Sequence, residues 1–205
     1  MKDNYFNEDV KKLSEEDPLR TLNIFLKYKF PIKSEDMQEI ISNAERADFF
    51  KTHKILIEYG KEKLDKTTFN KLLDFVENKA DNSATQMLVL FELGKQYIEE
   101  NPKIDFKNSK EIQRLIKLSP ISLNFLNLSP EINFTICQSL KDTSDTKLTA
   151  SLLKSNCLNE KGFKQIRHDL VKNFKINASK EDYELVRGLS EFKPVGTRFD
   201  IANER

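Results

Sequence analysis

Four side chains are suited to nucleophilic or metal chemistry: Cys137, Cys157, His53 and His168 are the only cysteines and histidines among 205 residues. Their spacing limits what they can do. A structural zinc site needs four nitrogen or sulfur ligands, commonly in close pairs. Here the cysteines stand 20 residues apart, no Cys-x-x-Cys exists, and the nearest mixed pair, Cys157 and His168, lacks further ligands. A Cys–His nucleophile built from Cys137 or Cys157 with His168 has the right residue types but no supporting motif. In the run KQIRHDLVK, His168 stands beside Asp169 on what reads as a solvated helix face. The expectation is two reduced, buried or half-buried thiols in a reducing compartment. No catalytic, cofactor-binding or metal-ligating residue is expected, and the chain is read as neither an enzyme nor the receptor of a small-molecule substrate.

Phosphate chemistry has equally little support. Gly60-Lys61 and Gly94-Lys95 are not part of a G-x-x-x-x-G-K-[ST] loop and come after no strand, so each glycine reads as one tolerated near a helix end. A basic cluster, Lys161, Lys164, Arg167, Lys172 and Lys175, is interleaved with Phe163 and Phe174, with Arg187, Lys193 and Arg198 beyond it. On a helix, Lys164, Arg167 and Lys175 share one face while Phe163, Ile166 and Leu170 point inward. That is a charged face over a core helix sooner than an RNA groove. Across the chain, 34 Lys and Arg against 33 Asp and Glu leave a formal charge of +1. A dedicated nucleic-acid binder usually shows a clear basic excess.

The elements that must hold these residues are helical. Hydrophobic residues make up 38% and charged residues 33%, with five Gly, six Pro, fifteen Phe and no Trp. Turn chemistry is therefore scarce and the core rests on Phe, Leu and Ile. Asp17-Pro18 reads as an N-cap with proline at the first helical position. The helix it opens, PLRTLNIFLKY, places Leu19, Leu22, Phe25 and Leu26 on one face and ends before Phe30-Pro31. Ser34 opens a second helix with the stripe Met37, Ile40, Ile41 and Ala44. A third is expected over FFKTHKILIEYGKEKL (49–64), a fourth from Thr67 or Thr68, and a fifth from Ser83 to the stop at Asn101-Pro102. Ser119-Pro120 and Ser129-Pro130 each read as a helix start. SDTKLTASLLKS, EKGFKQIRHDLVKNF and SKEDYELVRGLSEF come next, the last with a capping box at Ser179 and Asp182. About nine or ten helices result, with no alternating strand.

The helices echo one another. ILIEYGK in the third and VLFELGK in the fifth match at an offset of 34, pairing Glu58 with Glu92, Gly60 with Gly94 and Lys61 with Lys95. IFLKY matches ILIEY at an offset of 31. EIQRLIKL and then ISLNFLNL repeat the pair once more. A helix–turn–helix unit of about 31–36 residues is the period of an α-solenoid, whose hairpins bury their faces by stacking.

Thr67-Thr68-Phe69-Asn70-Lys71-Leu72-Leu73 resembles the opening of a pentatricopeptide unit, and Leu90, Phe91 and Leu93 resemble the stripe of its second helix. The resemblance covers residues 67–98 and is degenerate over 34–64 and 109–128. It implies a helical-hairpin solenoid with a mitochondrial-matrix or other organellar address. In RNA-binding members the residue matching Asn70 reads a base, so Asn70 and Lys71 are the residues of an alternative, RNA-binding reading. In the flanking units Asn70 corresponds to Met37 or Asp36 and to Ile112 or Gln113.

The organisation expected is an N-terminal extension (1–17), a repeat array (18–140), a C-terminal helical cap (141–192) and an extended tail (193–205). The opening MKDNYFNEDVKKLSEED has no apolar signal region and no Arg-rich amphipathic stretch. No run approaches 18 apolar residues. The chain is therefore expected to be soluble and intracellular, with no membrane span. The tail buries too little of itself to offset roughly 1–2 kcal/mol of backbone entropy per residue. Phe199 and Ile201 point the same way in an extended chain, so the tail is expected to dock on a neighbouring subunit through them, with Arg198 and Asp200 outward. The function expected is a non-catalytic scaffold or adaptor whose partners are protein subunits of a larger assembly.

Overall fold

A computed structural model describes residues 8–79, 83–119 and 121–192. Among them the chain is all-α, with eleven α-helices, four 3-10 segments and no strand. It divides into two compact units, Met1–Ile104 and Asp105–Arg205. That boundary falls within the stretch 18–140, so the helices around 109–128 belong to the second unit. The tail residues Arg198, Phe199 and Ile201 lie outside the described residues, as does Pro120.

The first unit contains α1 (Glu8–Glu16), α2 (Pro18–Tyr28), α3 (Ser34–Ala47), α4 (Phe49–Glu58), α5 (Lys66–Asn78) and α6 (Ala84–Glu100). Residues 8–16, read from sequence as part of an extension, thus form a helix. It packs on α2 and α3 and fixes a buried polar contact in which Asn43 Nδ2 donates to Ser14 Oγ at 3.1 Å. Packing runs between neighbouring helices and between those two apart, α1 on α3, α2 on α4 and α4 on α6. Leu22, Phe25 and Leu26 of α2 meet Ile40 and Ala44 of α3 and Leu56 of α4 in one buried cluster.

The helix starts expected at Pro18, Ser83 and Pro130 fall within a residue of the observed ones, whereas α5 opens at Lys66, ahead of Thr67, and the helix expected at Ser119 opens only at Ser122. Asp65 accepts from Thr67 N and Thr68 N to open α5. Ser83 and Gln86 form a reciprocal capping box at α6. Such caps satisfy backbone N–H groups that have no partner inside the helix.

The third predicted helix is shorter than expected. α4 stops at Glu58, and Gly60 takes a left-handed φ of 64°. Lys61 N and Glu62 N then turn back to Leu56 O at 2.8 and 3.2 Å. Its echo partner Gly94 is buried within α6, which continues to Glu100. The residues C-terminal to each glycine account for the difference. Tyr97 and Ile98 extend the buried stripe of α6, whereas Lys61, Glu62 and Lys63 offer no apolar side chain before Leu64. A helix persists where its next turn buries something.

The second unit contains α7 (Lys110–Lys117), α8 (Ser122–Leu126), α9 (Pro130–Leu140), α10 (Thr146–Leu153) and α11 (Lys164–Asn177). The 3-10 segments are Asn156–Asn159, Lys161–Phe163, Glu181–Val186 and Ser190–Phe192. Residues 148–153 of α10 are all buried, as expected of a helix surrounded on every side. It packs against α7, α8, α11 and the 181–186 segment.

The stretch 179–192 departs from the predicted α-helix. The capping box forms, with Ser179 N donating to Asp182 Oδ2 at 2.9 Å and Asp182 N to Ser179 Oγ at 3.4 Å. What it opens is 3-10 geometry, broken at Gly188, whose φ is 92°. Tyr183, Val186, Leu189 and Phe192 recur every third residue, the period of a 3-10 rather than an α-helix. Tyr183 and Phe192 present ring edges to the buried Phe174 at centroid distances of 5.7 and 5.2 Å.

Candidate functional site

The recurrence Ser34, Met37, Gln38, Ile41, Ser42 and Glu45 marks one face of α3 by helical spacing. That face lines a cavity of about 710 Å³ in the first unit. Leu26 of α2, Ile32, and His53 and Leu56 of α4 complete its floor, while Lys61, Glu62 and Lys71 stand around it. Leu26, Ile32, Met37, Ile41 and Leu56 make the floor apolar. Two carboxylates, two ammonium groups and one imidazole make the remainder polar and close to neutral.

His53 is the organising residue. It is 1% exposed, held by the edge of Phe49, whose ring centroid lies 4.4 Å away. Phe49 is itself stacked on Phe75 at 3.9 Å with ring planes 3° apart. Imidazole Nδ1 is paired with Glu62 Oε2. On the other side Nε2 stands 3.3 Å from Glu45 Oε1, within ion-pair reach but not in a hydrogen bond, so Nε2 is a buried polar atom without a hydrogen-bond partner. The ring thus has a carboxylate facing each of its two nitrogens. Lys71 Nζ lies 3.5 Å from the same Glu45 oxygen and 5.4 Å from the Phe49 ring centroid, adding charge balance and a cation–π contact. Only the imidazole of this cluster is buried, while Glu45, Glu62 and Lys71 reach solvent, and a buried polar ring is tolerated when polar partners face it.

Sequence reasoning singled out Lys71, which lines this cavity, but for a different role. Asn70 beside it turns its amide back on its own helix, with Nδ2 donating to Lys66 O at 3.0 Å. His53, Glu45 and Glu62 were missed as a group. The signal available was a histidine on the apolar stripe of a predicted helix, with carboxylates 8 residues before and 9 after it. Which of many nearby carboxylates would meet it depends on the turn at Gly60, which brings Glu62 back over α4.

In the second unit the basic cluster is partly neutralised. Arg167 Nε donates to Glu191 Oε1 at 2.6 Å, and this guanidinium holds the Glu191 carboxyl well below its ordinary range, at about 2. Lys141 pairs with Asp169 at 3.3 Å, and Lys175 Nζ lies 5.5 Å from the Phe192 ring centroid. His168 is exposed on α11. Cys137 is buried on α9 and Cys157 is half-buried in the 156–159 turn, both as free thiols.

No group of three or more His, Cys, Asp or Glu among the described residues is placed to hold a metal ion. No helix among them is long and apolar enough to cross a membrane. Together these features describe an all-α protein with a polar-rimmed cavity along one helix. No family model, curated protein or solved structure matches this chain.

Proposed function

We propose that the chain is a non-catalytic helical-repeat adaptor, an α-solenoid of pentatricopeptide-like hairpins serving as a structural subunit of a larger protein assembly. The resemblance of residues 67–98 supports a mitochondrial address for it. The observation that carries this reading is the cavity along α3, an apolar floor ringed by equal numbers of carboxylates and ammonium groups. Helical-repeat proteins present elongated concave surfaces to their partners. A polypeptide segment offers the mixture of apolar and both charged groups that this lining complements. An RNA backbone is uniformly negative and would meet Glu45 and Glu62 as well as Lys71, so the alternative role of Asn70 and Lys71 in reading RNA is less well supported.

The test uses the chain isolated from its native source, with native mass spectrometry of what accompanies it. Ser42 is exposed on the cavity lining, so Ser42→Arg fills the groove without disturbing the core. The expected result is a stoichiometric protein partner on the wild-type chain and its loss from Ser42→Arg at unchanged helical circular dichroism. A free monomer, or RNA retained by the wild-type chain and lost from Lys71→Ala, overturns the reading.

A further inference from the structure

The charges around the cavity along α3 are equal in number but not in depth. Glu45 and Glu62 keep 31% and 21% of their side chains exposed, against 51% for Lys71, and Lys61 is exposed as well. The more enclosed charges are therefore carboxylates, and the ammonium groups lie nearer to water. Between the carboxylates stands His53, 1% exposed and part of the cavity lining. Glu62 takes up Nδ1, whereas Nε2 has no hydrogen-bond partner although Glu45 Oε1 is 3.3 Å away. A neutral imidazole that donates from Nδ1 offers Nε2 as an acceptor. A buried polar atom left in that state costs free energy that a donor from a ligand recovers. Leu26, Ile41 and Leu56 supply the apolar floor of the same cavity.

We propose that this cavity is an arginine pocket. The polypeptide segment docked along α3 anchors itself with one arginine side chain, whose methylene stem lies on the apolar floor and whose guanidinium donates to Glu45 and to His53 Nε2. The inference rests on the reading of the cavity as a polypeptide-docking site and names the group that the site selects. A guanidinium is planar and carries its N–H donors in a fixed fork, which serves a carboxylate and a neighbouring nitrogen acceptor at once. A long charged side chain also covers apolar surface with its stem. At about 710 Å³ the cavity falls within the range of ligand pockets, roughly 300–1,000 Å³, with space for an apolar residue next to the arginine.

Lys71 is the group that the ligand displaces. Its Nζ stands 3.5 Å from Glu45 Oε1, on a half-exposed side chain whose ion pair is worth little in water. An incoming guanidinium replaces it with a more enclosed partner held by charge-assisted hydrogen bonds. Glu62 stays on Nδ1 and holds the ring while Glu45 takes the ligand. A ligand carboxylate would instead face Glu45 and Glu62, the more enclosed charges, and a purely apolar group would leave Nε2 without a partner. Removing Lys71 therefore favours a cationic ligand and disfavours an anionic one.

The experiment titrates N-acetyl-leucyl-arginine amide into the isotope-labelled full-length chain and follows the backbone amide resonances. The same titration is run with the citrulline dipeptide, isosteric but uncharged, and with the glutamate dipeptide. The expected result is saturable shifts at amides of α3 and α4, with the citrulline dipeptide about tenfold or more weaker through loss of a charge-assisted hydrogen bond. Glu45→Gln should abolish the preference for arginine over citrulline at unchanged helical circular dichroism. Lys71→Met should bind the arginine dipeptide at least as tightly as the wild type. Equal affinity for arginine and citrulline overturns the proposal, as does preferential binding of the glutamate dipeptide. So does weaker arginine binding by Lys71→Met, or the absence of any saturable shift. A wild-type chain that carries a protein partner but ignores the arginine dipeptide refutes the pocket and keeps the adaptor reading. Arginine binding without any protein partner refutes the adaptor reading and keeps the pocket.

Discussion

His53 in the first unit and His168 in the second differ in surroundings more than in local sequence, since each has a basic residue on one flank and lies on a helix. His53 faces inward between Glu45 and Glu62 at the edge of a cavity, with Phe49 against its ring. His168 faces solvent, and its neighbour Asp169 is engaged by Gln165 and Lys141. The aromatic clusters differ in a parallel way. In the first unit Phe49, Phe50 and Phe75 pack between neighbouring α-helices. In the second, Phe174 anchors Tyr183 and Phe192 from short 3-10 segments. The first unit is held by helix on helix, whereas the end of the second depends on one helix retaining a short, irregular strap. Ordering such a strap costs backbone entropy that only its side-chain anchors offset.

The largest effects test that contrast in the core. Phe50 and Phe174 are both essentially fully buried, and truncating either to Ala should cost about 3–5 kcal/mol in chemical denaturation. The consequences should differ in kind. Phe174→Ala should release residues 181–192 to fast amide exchange and proteolysis, whereas Phe50→Ala should lower overall stability without one newly labile segment. Equal local exposure in both variants would erase the distinction.

The histidines come next. His53→Leu removes the group between two carboxylates and leaves them facing an apolar side chain, which should destabilise by about 1–3 kcal/mol. His168→Leu, at an exposed position, should fall within about 0.5 kcal/mol of the wild type. Comparable losses at both sites would mean that the Glu45–His53–Glu62 arrangement contributes nothing special.

The smallest effect sharpens the account of the strap. The folded Glu191 carboxyl, held at about 2 by Arg167, lies below the ordinary glutamate value of about 4.3. A depressed value stabilises the folded state at neutral pH, and that contribution disappears as pH falls from about 5 toward 2. For a partly exposed pair, solvent screening limits it to about 1 kcal/mol. Denaturation midpoints at pH 7 and pH 3 should therefore differ less in Glu191→Gln than in the wild type. An identical acid loss in both would show that the Arg167–Glu191 pair does not retain the strap.

Helical class and most of the helix punctuation were legible in the chain before any folding was considered. Proline at 18 and 130, Ser83 and Ser129 set helix starts through φ restriction and side-chain capping, whereas Asp65, not Thr67 or Thr68, caps α5. The stripes of α2 and α3 reappear as the buried cluster around Leu22, Phe25 and Ile40. These are local effects, decided within one or two helical turns, and so they need nothing from the rest of the chain. Long-range packing chose which of two similar glycines ends a helix, since the choice rests on what the next turn can bury. It also set Glu45 of α3 against His53 of α4, while the turn at Gly60 carried Glu62 back to the other side of the same ring. Those carboxylates stand 8 residues before and 9 after the histidine, and no helical period or motif links the three. Only the packing of α3 on α4, together with the break of α4 at Gly60, brings those atoms together.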